Sequence, residues 1–204
     1  MIELKNINLS FENKIIFKDF NMNINKGDKI LLKAASGKGK STLFKLLLGF
    51  ERIDAGEIIF NKKTLNKNNL TYYRSKISYI SQDVDFRNDK VENLIKDIFS
   101  YNQNKNVEFS NERLKKLIKY FNLEEDVMEK EVGQLSGGER QRLGLIVCIL
   151  LDRDVWLLDE VTAGLDREMK QLVVKYVSEQ DKTIIISSHD DIWSNNDLIK
   201  IKEW

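Results

Sequence analysis

The apolar positions change their rhythm three times along the chain. From Ile2 to Leu9, and again from Ile16 to Ile24, apolar and polar side chains alternate, which predicts two strands with one buried face each. Gly27-Asp28 marks a turn, and the apolar run Lys29 to Lys33 is expected as a short buried strand. A glycine-bearing loop follows, then an amphipathic helix from about Lys40 to Gly49, while Glu57 to Asn61 and Lys76 to Ser81 read as further strands. From roughly Asp83 to Leu151 the spacing becomes helical, with Leu114, Leu117, Ile118 and Phe121 on one face. The last third alternates again: a buried strand Val155 to Leu158, a helix from Asp166, a strand Thr183 to Ser187, a short helix and a closing strand. Strand–loop–helix alternation at both ends predicts the α/β class with a parallel-containing sheet, and the helical middle, residues 83–150, reads as an insertion into it. No boundary divides the 204 residues, so one domain over 1–204 is expected, with Asn102 to Asn106 as a surface loop.

Composition removes several function classes. The 42% of apolar residues suffices for a core without staples, and 33 Lys and Arg against 32 Asp and Glu leave a net charge of +1, so no nucleic-acid partner is expected. One cysteine, Cys148, excludes an internal disulfide and a cysteine zinc cage, and one histidine, His189, excludes a multi-histidine metal site. The longest apolar stretch, Leu145 to Leu151, is seven residues, against about 20 for a membrane span. With no signal-peptide pattern at Met1 to Lys5, the expectation is a soluble, cytoplasmic chain.

Two motifs then carry chemistry. Ala34-Ala35-Ser36-Gly37-Lys38-Gly39-Lys40-Ser41-Thr42 lies between a strand and a helix, where backbone N–H groups and the helix N-terminus converge on one anion. Gly37 and Gly39 let the backbone wrap phosphates, Lys40 would reach the β- and γ-phosphates, and the Ser41 hydroxyl would hold Mg²⁺. Ala34 stands where the pattern usually opens with glycine, which works only at negative φ. Lys38 adds a second cation beside the phosphates. The apolar run Val155-Trp156-Leu157-Leu158 ends in Asp159-Glu160, delivering two acids to the carboxyl edge of the sheet. Asp159 would hold Mg²⁺, and Glu160 would orient and polarise the attacking water. Between these motifs, Leu135-Ser136-Gly137-Gly138-Glu139 opens a helix and exposes N–H groups at its positive end, a second anion site on the same chain. One ATP need not be held by both loops of one chain, which opens the way to a head-to-tail dimer.

These residues resemble the ATP-binding cassette (ABC) transporter ATP-binding subunits, from about Ile2 to the C-terminus, and the LSGGE run at 135–139 is the most specific part of the match. The resemblance implies an ABC ATPase fold: a RecA-like P-loop core, an antiparallel β subdomain and an inserted helical subdomain. It implies that Ser36, Gly37, Lys38, Gly39, Lys40, Ser41 and Thr42 bind ATP, with Phe11 stacking on the adenine in place of the more usual Tyr. Ser136, Gly137 and Gly138 would close on the γ-phosphate from the other subunit of an ATP-dependent homodimer or heterodimer. Gln82 would touch Mg²⁺ or the attacking water and report to a membrane partner, Asp166 would organise the dimer interface, and His189 would hold transition-state charge on the γ-phosphate. The implied activity is Mg-dependent ATP hydrolysis at the cytoplasmic face of a membrane, energising transport through separate transmembrane subunits. The second reading is a non-transport mechanical ATPase of the same superfamily.

Overall fold

The computed structural model describes residues 1–204 apart from 13 and 36. Two sheets organise the chain. The first is antiparallel, built from β1 (Ile2–Phe11), β2 (Lys14–Ile24), β4 (Ala55–Phe60) and β5 (Lys63–Thr64) in the order β2-β1-β4-β5. The second is wholly parallel, built from β3 (Lys29–Lys33), β6 (Ile77–Ile80), β7 (Val155–Asp159), β8 (Thr183–Ser187) and β9 (Lys200–Glu203) in the order β6-β7-β8-β3-β9. Its central strands are buried on both faces, as apolar runs in a parallel sheet must be.

Alternation along those strands divides the core. Leu31, Trp156, Leu158, Ile184 and Ile186 face one apolar cluster, while Ile30, Leu32, Val155, Leu157 and Ile185 face another. The first cluster is covered by α3 (Val91–Ser100), α4 (Asn111–Tyr120), α5 (Gly137–Leu151) and α6 (Arg167–Ser178). The second is covered by α1 (Lys40–Leu47), the short α2 (Leu70–Arg74) and the apolar face of the antiparallel sheet. The helix α5 is buried almost all round, and Cys148 sits within it, its thiol pushed up to about 12 by burial.

Most of the expected elements stand within a residue or two of their expected ends. The helix expected to Gly49 stops at Leu47 because Gly49, at φ 64°, closes it: its N–H donates to the Leu46 carbonyl and that of Phe50 to the Lys45 carbonyl. The stretch Asn102 to Asn106 is more than a surface loop. Asn102–Asn104 forms a 3₁₀ turn in which Asn104 is buried, donating to the Ile98 carbonyl and accepting from Arg153. Among the described residues no helix is long and apolar enough to cross a membrane.

Candidate active site

The parallel sheet places the chemistry. In its register Asp159 of β7 pairs with Ser187 of β8, and Ser187 pairs with Leu32 of β3. Three neighbouring strands therefore finish level, and their outgoing segments meet at one carboxyl edge: Glu160 after β7, Ser188 and His189 after β8, and the loop 34–39 after β3.

The loop after β3 turns at two glycines. Gly37 (φ 75°) and Gly39 (φ 95°) both take the left-handed conformation, and Gly39 caps the start of α1. A Cβ on Gly39 would come within 2.7 Å of Ile16 Cγ2 and 3.0 Å of Phe17 Cζ, so this position has room for glycine alone. Ala34 is not among the residues with positive φ, which makes the missing first glycine sterically harmless. The Lys40 ammonium donates to the Ala34 carbonyl at 2.6 Å, across the loop it would serve. Lys38 is exposed, and its carbonyl accepts the indole N–H of Trp204 at 3.0 Å. Ser36 lies outside the described residues. Thr42 is half-buried in the first turn of α1. Phe11 ends β1, pairs with Lys14 and is 41% exposed, and the Lys14 ammonium reaches towards Gly37. The tip of the β1–β2 hairpin thus stands beside the loop.

Asp159 is buried, and burial pushes its carboxyl up, partly offset by the hydroxyls of Ser187 and Ser41, the Lys40 ammonium and the Tyr79 hydroxyl. Tyr79 in turn is pushed up to about 12, by burial first and then by Asp159. The hydroxyl of Ser41 and the carboxylate of Asp159 share one small space, an all-oxygen pair of the kind that Mg²⁺ selects when substrate phosphates complete its shell. Among the described residues no cluster of three or more His, Cys, Asp or Glu could hold a metal by itself.

Glu160 is a non-glycine residue at φ 51°, a conformation that costs on the order of 1–3 kcal/mol unless its surroundings impose it. Its own N–H donates to the Ser187 carbonyl at 2.8 Å, and its carbonyl accepts from Ala163 at 2.9 Å. Its carboxylate is 13% exposed and accepts the backbone N–H of His189 at 3.3 Å, with the imidazole Nε2 at 3.7 Å. Burial, the largest influence on it, raises the Glu160 carboxyl above its ordinary range.

Other expected residues are placed but not gathered in. Gln82 is exposed in the bend just after β6, and among the described residues no hydrogen bond ties it to Ser41 or Asp159. Ser136 caps α5 in a reciprocal box with Glu139, and Gly137 borders open space. Gly138 lies against Leu165 and Gly164. Among the described residues no hydrogen bond joins this helix start to the phosphate loop. Asp166 caps α6, accepting the N–H of Met169 at 2.8 Å. Sequence reasoning missed Tyr79 and Ser187 beside Asp159, and Trp204 on the loop. Strand register and chain return create these contacts, and no local pattern announces them.

The chain is similar to proteins of known family. The family model for ABC transporter matches residues 17–163. The ergothioneine transport ATP-binding protein EgtV of Helicobacter pylori is 31% identical over 94% of this chain and 91% of its own length. The energy-coupling factor transporter ATP-binding protein EcfA of Aster yellows witches'-broom phytoplasma is 31% identical over 98% of this chain and 74% of its own. Among solved structures, a dimeric ATP-binding cassette in a post-hydrolysis state, bound to ADP and Pi, superposes with a TM-score of 0.77 at 25% identity, over 93% of this chain and 88% of that one.

Proposed function

Because the chain belongs to the ABC transporter family, we propose that residues 1–204 form one nucleotide-binding domain that hydrolyses Mg-ATP and passes the resulting motion to separate transmembrane subunits. The observation that carries this reading is the level ending of β3, β7 and β8, which brings the phosphate loop, the acid pair and His189 to one edge with Glu160 in contact with His189. The loop's N–H groups and Lys40 bind the triphosphate, with Phe11 as the platform for adenine. Ser41 and Asp159, with Gln82, would hold Mg²⁺, which when bound would supply charge neutralisation between the phosphates. Glu160 takes the proton of the attacking water, and His189 donates to the oxygens on which charge develops. Ser136, Gly137 and Gly138 contact the γ-phosphate held by a second cassette. Its likeness to transporter ATP-binding proteins supports a place at the cytoplasmic face of a membrane, reached through its partners.

Phosphate release by the purified chain, with Mg²⁺ and with the ion chelated, tests the reading. Lys40→Ala should lower affinity for a fluorescent ATP analogue by about a hundredfold or more, the worth of a charge-assisted bond to phosphate. Near-native affinity in that variant would show that the loop is not the nucleotide site.

A further inference from the structure

Behind the acid pair and the histidine runs a chain of polar contacts to which the proposed function gives no role. One carboxylate oxygen of Asp190 accepts the Thr162 hydroxyl at 2.5 Å, and the other accepts the Lys170 ammonium at 2.6 Å. The Thr162 hydroxyl in turn accepts the indole N–H of Trp193 at 3.1 Å. Thr162 and Trp193 are fully buried, and the side chains of Asp190 and Lys170 are mostly so. A hydroxyl held between one donor and one acceptor has its orientation fixed, and low local dielectric strengthens both bonds. Burial by itself would raise the Asp190 carboxyl, yet the bonds from Lys170 and Thr162 outweigh it and leave the group below its ordinary range.

The four residues come from four places: the turn after Glu160, the helix α6, the residue after His189, and the 3₁₀ turn Asp191–Trp193. Thr162 stands two residues beyond Glu160, and Asp190 one beyond His189, so the contacts tie together the two backbones that carry these side chains. The His189 side chain is 68% exposed and its ring makes no hydrogen bond among the described residues, so the position of its backbone limits where the ring can reach. Glu160, at φ 51°, likewise needs its surroundings to hold it.

We infer that Asp190, clamped by Thr162 and Lys170, is a positioning residue that sets the separation between the Glu160 carboxylate and the His189 imidazole. The inference rests on the proposed roles of Glu160 and His189 in hydrolysis, and on nothing that the four residues do to ATP directly.

The chain has a single histidine, so the imidazole C–H signals of a proton–carbon NMR spectrum belong to His189 alone. Thr162→Val keeps the side-chain shape and deletes the hydroxyl. It should shift the His189 signals in the nucleotide-free protein. It should also lower kcat by about ten- to a hundredfold with KM for ATP within about twofold, because a displaced group is missed in the transition state more than in the ground state. Thr162→Ser, which returns the hydroxyl, should restore both signals and rate. Lys170→Met releases Asp190 from its less buried side, should give the same split to a smaller degree, and covers a Thr162→Val protein that fails to fold. Unmoved His189 signals in a folded variant, or equal losses of kcat in Thr162→Ser and Thr162→Val, overturn the inference. His189→Ala separates the two levels: an unchanged kcat there removes the role of His189 in hydrolysis, while the NMR signals still decide whether the clamp places the ring.

Discussion

Burial raises the carboxyls of both Asp159 and Glu160, so each is harder to ionise in the folded protein than in the unfolded chain. A group whose folded pKa lies above its unfolded value lends its full stability in acid and loses it as pH rises through the folded pKa. At neutral pH these two acids therefore weaken the fold that positions them. Glu160→Gln should raise Tm of the nucleotide-free protein at neutral pH. The gain should shrink on acidification, where the wild-type carboxyl is itself neutral, and thermal scans across pH read this directly. Gln retains an oxygen to accept the His189 N–H, so a lowered Tm at neutral pH would mean that the charge of Glu160 stabilises the fold. At this scale the sequence announces Lys40, Ser41, Asp159 and Glu160, because each sits at a fixed offset from glycines or from an apolar run. It does not announce Tyr79 or Asp190. Their partners lie 80 and 28 residues away, and only the folded sheet and the chain's return from it bring them together.

Gly39 shows how one element is fitted to another. Its left-handed φ and the 2.7 Å approach of Ile16 leave no room for a side chain, so the loop can turn into α1 only where β2 passes beneath it. Gly39→Ala should destabilise by roughly 2–4 kcal/mol, the sum of a left-handed penalty and an overpacked contact, as read by urea unfolding. Gly37→Ala, whose Cβ would meet nothing closer than Lys14 Nζ at 3.7 Å among the described residues, should cost only the conformational part, about 1–2 kcal/mol. Equal losses in the two variants would show that β2 does not support the loop. Long periodic elements are legible for a plain reason. The central strands β7 and β8 are unbroken apolar runs, and α4 has one clean apolar face. The two-residue β5 and five-residue α2 carry too few positions to display a period, and they exist because β4 and β6 offer them partners.

For the whole molecule, the open helix start at Ser136 and Gly137 is the proposed second anion site, and no hydrogen bond joins it to the chain's own phosphate loop among the described residues. Glu160→Gln, which cannot take the proton from water, should accumulate an ATP-dependent homodimer if the chain pairs with itself. Ser136→Arg added to it should return monomers, because the long side chain blocks close backbone approach at Gly137. Light scattering coupled to size-exclusion chromatography, with and without ATP, measures this. A monomer at saturating ATP assigns the partner role to a different cassette, and dimers without nucleotide overturn the ATP-bridged arrangement. The interior of α5 bears on how such motions can be tracked. Cys148 is the chain's only cysteine, is wholly enclosed, and holds its proton far above neutral pH. A thiol in that state does not meet maleimides, so cysteines introduced at the hairpin tip and at the start of α5 accept spectroscopic labels without the native one being removed.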